Sequence, residues 1–142
     1  MKKLLSLFTF IVLCSCSEDY YENTDGYYQP SSYINPPVWI QGTWKDDKDR
    51  IIIFTEDELF YGYPLLPYKS VSSEILDYER YYQTEYNKYR DANVQEAELI
   101  NYYSIKYNAV NAPSKKFRFI KLSETKIEST DLMPGIYIRQ NY

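Results

Sequence analysis

Much of the chain after residue 38 alternates between short apolar runs and polar turns, the pattern of antiparallel β-strands. The clearest run is residues 51–54, three isoleucines and a phenylalanine, which are residue types that strands favour. Near the C-terminus, Phe117 and Phe119 lie on one face of a predicted strand, because successive side chains of a strand point to opposite faces. Short polar turns separate these runs, which is typical of a meander. We predict strands within residues 38–44, 51–54, 58–61, 93–100, 102–109, 115–122, 126–129 and 136–139.

In the middle of the chain the spacing of apolar and aromatic residues changes to that of a helix. The intervals between successive residues of this kind are four, three, four, four and three positions, in the order Val71, Ile75, Tyr78, Tyr82, Tyr86 and Tyr89. These intervals place the side chains on one side of an α-helix. Ser72 or Ser73 can cap its N-terminus. A strand over residues 76–86 is the competing interpretation, but Arg80 and Thr84 would interrupt its apolar face.

A meander with one amphipathic helix must bury the apolar side of that helix. The simplest arrangement is a mainly β fold, in which the antiparallel strands curl into a small barrel and the helix covers one end or one side. About seven or eight strands of ordinary length fit in the remaining residues. A barrel of about eight strands is near the size at which side chains fill the interior. The many tyrosines and phenylalanines therefore favour a filled interior over an open ligand cavity.

The first predicted strand contains the motif Gly42-x-Trp44, preceded by Trp39. This motif resembles the Gly-x-Trp signature of the lipocalin-like (calycin) barrels. In that family the tryptophan packs across the barrel floor beneath a basic residue of the last strand. The resemblance implies that Arg139 has this role here, through a cation–π contact with Trp44 of about 1 kcal/mol. The alternative interpretation is that Trp44 is simply a core aromatic residue.

Residues 1–15 have the pattern of a bacterial signal peptide. Lys2 and Lys3 precede a mostly apolar run of ten residues, and small residues lead to Cys16. Ten residues of helix span about half of a ~30 Å hydrocarbon core, so the run is not a membrane span. Residues 13–16 resemble the lipobox of bacterial lipoproteins. This resemblance implies cleavage before Cys16, with diacylglycerol on its sulfur and a third acyl chain, such as palmitate, on its amine.

Residues 16–37 form a predicted lipidated tether, followed by a lipocalin-like β domain at 38–142. Positions 17–37 hold four acidic residues, no basic residue, three prolines and a single isoleucine. Such a segment buries too little apolar surface to offset its ordering entropy. Its start, residues 17–19, resembles an export signal for surface lipoproteins of Gram-negative anaerobes, and a solvated tether explains the same acids. We expect the protein in a Gram-negative envelope, anchored to the outer membrane, with the periplasmic or cell-surface side left open.

The residue types present in the chain limit which catalytic and metal sites it can form. The chain contains no histidine, and its two cysteines are Cys14 and Cys16. Cys–His pairs, Ser–His–Asp triads and zinc sites built from His or Cys are therefore excluded. The acidic cluster Asp46, Asp47 and Asp49 lacks the glycine of an EF-hand calcium loop, and we predict that residues 46–49 form a solvated hairpin turn. We predict a protein that is not an enzyme and that carries no metal and no cofactor besides the acyl chains on Cys16.

The net charge and the tyrosine content of the chain indicate which kinds of partner it can bind. Without Lys2 and Lys3 the chain keeps 14 basic against 20 acidic residues, which argues against nucleic acid. Tyrosine, with 18 copies, offers a flat apolar face and a hydroxyl at low entropic cost. We predict that Tyr81, Tyr102 and Tyr103 belong to an exposed surface that recognises a glycan or a protein. A carrier of small apolar ligands and an accessory subunit of an envelope complex are the alternatives. The oligomeric state is left open.

Overall fold

A computed structural model describes residues 33–141. In this range the chain forms nine β-strands and one α-helix. Each predicted strand segment overlaps an observed strand, and the two-residue strand β4 is the one that the sequence pattern does not indicate. The elements are β1 (Gly42–Lys45), β2 (Ile51–Phe54), β3 (Leu59–Gly62), β4 (Lys69–Ser70), α1 (Val71–Tyr86), β5 (Gln95–Leu99), β6 (Tyr102–Ala109), β7 (Ala112–Ser123), β8 (Lys126–Ser129) and β9 (Gly135–Arg139).

The strands form one antiparallel sheet in the order β4-β3-β2-β1-β9-β8-β7-β6-β5. Two meanders, β1–β4 and β5–β9, are joined because the first and last strands pair, with Trp44 opposite Arg139. The sheet curls into a half-barrel whose edge strands are β4 and β5. Helix α1 contacts β3 and β4 near one edge and β6 near the other. The predicted mainly β, antiparallel class with one helix is confirmed.

The N-cap of helix α1 lies two or three residues earlier than predicted. Ser70 is the N-cap, and its hydroxyl accepts a hydrogen bond from the backbone N–H of Ser73 at 3.0 Å. Ser72 and Ser73, the predicted caps, instead lie in the first turn of the helix. The helix ends at Tyr86 and is capped by Asn87, which adopts a left-handed conformation with φ 48° and donates its backbone N–H to the carbonyl of Tyr82. Asparagine tolerates this conformation better than most residues do.

The two halves of the curled sheet face each other across an aromatic interior. The ring of Phe54 on β2 lies 4.9 Å from that of Phe119 on β7, edge to face. Tyr61 on β3 and Phe117 on β7 meet in the same way at 5.1 Å. Such pairs add to the stabilisation from burial alone. The largest fully buried side chains are Trp44, Tyr103, Tyr107, Tyr137, Phe54, Phe117, Phe119, Ile34, Ile40, Ile52, Leu59 and Ile75.

Residues 33–37, predicted as the end of the tether, pack against the domain. Ile34 is fully buried and belongs to the hydrophobic core. The backbone N–H of Asn35 donates to the Glu96 carboxylate at 3.0 Å, and the Tyr33 hydroxyl donates to Glu79 at 3.0 Å. These residues therefore belong to the folded domain, because one isoleucine and two polar contacts dock a segment that looks polar in isolation. The predicted signal peptide, Cys16 and residues 17–32 lie outside the described residues.

Candidate recognition surface

The three tyrosines predicted to form a surface do not lie together. Tyr103 is buried, since it faces the interior of the half-barrel next to Phe54. Tyr102, its neighbour on β6, is half-buried and points to the opposite face of the sheet. Tyr81, also half-buried, lies on α1 and accepts a weak hydrogen bond from Asn111, just beyond the far end of β6. About 25 Å of strand separates that point from Tyr102. The predicted surface is therefore wrong for Tyr103 and is not continuous between the other two.

A different set of tyrosines is exposed at the C-terminal end of α1. Tyr82 and Tyr86, one turn apart, stack with ring centroids 5.5 Å from each other, and Tyr81 meets Tyr82 edge-on at 5.3 Å. Tyr86 is 57% exposed, and Tyr89, just beyond the helix, is 62% exposed. Together they line an open groove, which we call the tyrosine groove. Its residues are Tyr82, Tyr86, Lys88, Tyr89 and Arg90.

The tyrosine groove is shaped by the way the helix ends. The left-handed residue Asn87 reverses the chain, so that the three residues after it run back beside the last turn. The guanidinium of Arg90 then lies over the ring of Tyr82, 4.7 Å from its centroid. This cation–π contact orders a side chain that would otherwise be mobile in water. The groove therefore combines a held cation with two exposed phenol rings.

The two exposed phenols keep their protons in neutral solution. A hydrogen bond with Tyr81 raises the pKa of Tyr86 above its ordinary value. Burial, followed by the negative charge of Glu79, raises the pKa of Tyr89. A protonated phenol can donate as well as accept a hydrogen bond and keeps an apolar ring face. The groove can therefore stack against a sugar ring or a planar group, and its lysine and arginine can bind oxygen acceptors at the rim.

Sequence reasoning assigned these tyrosines to the core. Tyr78, Tyr82, Tyr86 and Tyr89 continue the helical row that starts at Val71, and a regular row of this kind is usually buried. The first half of the row is buried as expected, and Tyr82 is half-buried. The last residues of α1, from Thr84 on, are exposed, so the row continues into solvent. Nothing in the spacing of the row marks where its buried part ends, so the sequence carried no signal for the exposed rings.

A second polar cluster joins the helix to the sheet. The carboxylate of Glu74 on α1 accepts hydrogen bonds from the hydroxyls of Tyr61 (2.9 Å) and Tyr107 and from the ammonium of Lys115 (2.6 Å). These partners lie on β3, β6 and β7, so a single side chain connects both halves of the half-barrel. Burial disfavours ionisation of Glu74, but the bonds from Lys115 and the two tyrosines outweigh it and lower its pKa. Because the carboxylate oxygens of Glu74 already accept these hydrogen bonds, we assign the cluster a structural role in joining the helix to the sheet.

The motif residues Gly42 and Trp44 meet Arg139 where the first and last strands pair. The Arg139 guanidinium lies over the indole, and the Trp44 N–H donates to the carbonyl of Ile40 at 2.6 Å. Gly42 has a φ of 124°, and a Cβ atom there would come within 2.9 Å of an Arg139 nitrogen. Only glycine fits this position without strain, because its φ is disfavoured for other residues and the guanidinium leaves little space. The described geometry gives these residues a structural role.

The acidic turn at residues 46–49 forms the β1–β2 hairpin. The buried carboxylate of Asp46 accepts hydrogen bonds from the backbone of Lys48 and from the backbone and side chain of Arg50. Asp49 pairs with Lys45 at 2.6 Å. The carboxylates of Asp46 and Asp49 therefore both make contacts within the hairpin. Across residues 33–141, no group of three or more His, Cys, Asp or Glu side chains is arranged to hold a metal ion.

Comparison of the chain with protein-family models, with curated proteins and with solved structures gives no match. Within residues 33–141 the single helix, α1, is too short and too polar to cross a membrane.

Proposed function

We propose that this protein is a lipid-anchored lipoprotein of the Gram-negative envelope whose domain binds a glycan or a protein through the tyrosine groove. The observation that carries the proposal is the exposure of Tyr86 and Tyr89 beside Arg90, on a helix whose first three core-facing residues are buried. Exposed aromatic rings held by neighbours are the usual basis of sugar stacking and of protein hot spots. The binding is non-catalytic, and the groove is the recognition site.

The anchor is the lipid-modified Cys16, as the lipobox resemblance implies. Several acyl chains on one residue hold a protein on a membrane, since each buried methylene adds about 0.8 kcal/mol. The domain then acts at the outer membrane, at the end of a short tether. Cys16→Ala should move the protein out of the membrane fraction and abolish incorporation of labelled palmitate. A Cys16→Ala variant that stays membrane-bound would contradict the anchor.

The lipocalin-like relationship of the domain is part of the same proposal. It is supported by the pairing of β1 with β9 and by the position of Arg139 over Trp44. The interior does not support a function as a carrier of apolar ligands. Aromatic rings pack edge to face across the space between the two halves of the sheet. We therefore place recognition on the outside of the domain.

The recognition site is tested with the full mature chain on a glycan array and in pull-downs from envelope extracts. The variants are Tyr86→Ala and Tyr89→Ala, and the matched control is Tyr102→Ala on the outer face of β6. We expect both groove variants to weaken binding at least several-fold while the control binds normally. Equal binding by all three variants, or loss only in the Tyr102 variant, would overturn the assignment to the groove.

A further inference from the structure

The segment between β3 and β4 is an apolar loop, residues 63–68, with the sequence Tyr-Pro-Leu-Leu-Pro-Tyr. Leu65 has a relative exposure of 104%, and Leu66 is 61% exposed. The flanking tyrosines, Tyr63 and Tyr68, are also exposed. None of the six residues carries a charge. Single exposed leucines need no explanation, but six consecutive uncharged residues on one projecting loop form an apolar patch that does.

The shape of the apolar loop is held by its backbone. The Leu66 N–H donates to the carbonyl of Tyr63 at 3.3 Å, which closes a turn around the tip. Leu65 itself has a φ of 65°, a conformation that is costly for a bulky residue and persists only where the surroundings enforce it. At the base, a Cβ atom on Gly62 would lie 2.5 Å from the ring of Tyr68, so the two ends of the loop are close-packed. The two leucines are therefore presented outward on a convex tip.

The strand register shows at which end of the half-barrel the apolar loop lies. Gly62, which precedes it, pairs with Ile51, so the loop projects from the same end as the β1–β2 turn. The β6–β7 and β8–β9 turns lie at this end too, because neighbouring strands alternate in direction. The β5–β6 turn, which contains Ile100, lies at the opposite end. Leu65 in the apolar loop and Ile100 in the β5–β6 turn are thus two highly exposed apolar residues at opposite ends of the half-barrel.

The described chain begins near the end that carries the apolar loop. Tyr33 contacts Glu79 on α1, and two residues further on Tyr81 meets Asn111 in the β6–β7 turn. From there the chain runs past Glu96, near the start of β5, to Ile40 beside the start of β1 at the opposite end. Residues 17–32, which separate Cys16 from Tyr33, can span at most about 55 Å. The tether is therefore long enough for an anchor at Cys16 to lie in a membrane that the loop touches.

We propose that the apolar loop inserts into the interfacial region of the membrane that holds the lipid anchor, so that the domain sits on the bilayer in one orientation. This inference rests on the proposed anchor at Cys16. Leucines at a tip with tyrosines on both sides match the depth profile of a bilayer, where the rings of tyrosine lie at the headgroup level. A convex tip needs a shaped pocket in a protein partner, whereas lipid adapts to it.

Insertion of two leucines is too weak to hold a protein on a membrane alone. Even a single myristoyl chain, which has more carbon atoms than two leucine side chains, gives only marginal binding. On a tethered domain the second contact is effectively intramolecular and becomes much more probable. The loop therefore orients the domain and the acyl chains anchor it. In this orientation the tyrosine groove, at the same end, lies close to the membrane surface.

The test uses the full mature lipoprotein in vesicles of phosphatidylethanolamine and phosphatidylglycerol. If Cys16 is acylated after cleavage, the mature chain has no free thiol. Leu65→Cys and Ile100→Cys can then each carry one environment-sensitive fluorophore, and Ile100, 95% exposed, is the matched control. We expect a lipid-borne quencher to reduce the fluorescence at position 65 several-fold more than at position 100.

Flotation of the same samples separates the two proposals. Protein that floats with the vesicles while position 65 is quenched no more than position 100 overturns loop insertion and leaves the anchor intact. That result would favour a protein partner for the loop. Protein that does not float overturns the anchor and the insertion together. Leu66→Ser, combined with the labelled Leu65→Cys, should reduce the difference between the two positions, because it removes the remaining leucine of the tip.

Discussion

The guanidinium carbon of Arg139 lies 4.2 Å from the ring centroid of Trp44, directly across the pairing of the last strand with the first. The same guanidinium donates hydrogen bonds to the carbonyls of Trp39 at 2.7 Å, Glu124 at 3.1 Å and Gln41. One side chain therefore joins β9, the segment before β1 and the β7–β8 turn. Its flat, branched shape makes this possible, since the nitrogens donate in several directions while the face covers the indole.

Arg139→Lys should lower the free energy of unfolding by about 1–3 kcal/mol, although it keeps the charge. A lysine ammonium cannot reach the three carbonyls and cover the ring at once, so some of these acceptors lose their partner. Urea denaturation followed by tryptophan fluorescence measures the change. Arg80→Lys, at an exposed position of α1, is the control and should leave the midpoint unchanged. Equal stability of the two variants would show that the Arg139 contacts contribute only charge.

Ile34→Ala should destabilise the domain by about 2–4 kcal/mol, the usual cost of removing a large aliphatic side chain from a core. Ile34 is fully buried, although it lies in a stretch that is polar in sequence. Val38→Ala, four residues later, is the matched control, because Val38 is 82% exposed and should change stability by less than about 0.5 kcal/mol. Thermal or urea unfolding distinguishes the two. A neutral Ile34 variant would mean that the segment does not contribute to the core.

Glu74→Gln should make the domain less stable at neutral pH and less sensitive to acid. The pKa of Glu74 is lowered in the folded state, so the unfolded chain binds a proton first as the pH falls. The stabilisation is therefore present above the ordinary glutamate pKa of about 4.3 and is lost as the pH falls through the lower, folded value. Urea midpoints measured from pH 7 to pH 3 should fall less steeply in the variant. Glu56→Gln, at an exposed position of the β2–β3 turn, is the control for removal of a carboxylate.

Alkaline conditions should unfold the domain as its buried phenols ionise. Burial, then hydrogen bonding to Glu96 and Glu74 respectively, raises the pKa of Tyr103 and of Tyr107 well above the ordinary value. The stability that results is complete below the pKa of an unfolded tyrosine, about 10, and is lost as the pH rises through the folded values. Phenolate absorbance should show these groups titrating together with the loss of circular dichroism. In the Tyr103→Phe, Tyr107→Phe double variant, the dependence of stability on alkaline pH should be shallower.

The strand pattern could be predicted from the sequence because its causes are local. Residues 51–54 are β-branched or aromatic, and the alternation around Phe117 and Phe119 is a property of a few consecutive residues. The same holds for the helical row from Val71 to Tyr82. Strand β4 has no such pattern in the sequence, because its two residues are extended only through pairing with β3.

The candidate surface could not be predicted, because exposure depends on what covers a residue. Alternation placed Tyr102 and Tyr103 on opposite faces, and this is what the structure shows. Which of them faces inward was decided by the pairing of Tyr103 with Phe119 in the neighbouring strand. Tyr86 continues a row of buried residues without any change in the pattern. Its exposure, together with that of the other residues of α1 from Thr84 on, depends on how much of the helix the sheet covers.

By itself the sequence determined the mainly β class, the order of the strands and the single helix, since each follows from residue types and short spacings. It also determined which side chains are available for catalysis or metal binding. The tertiary structure decided that Ile34 lies in the core, that the first and last strands pair through Trp44 and Arg139, and that the aromatic rings at the end of α1 face water. These outcomes depend on contacts between residues far apart in the chain, and no local pattern encodes which distant surface will cover a given side chain.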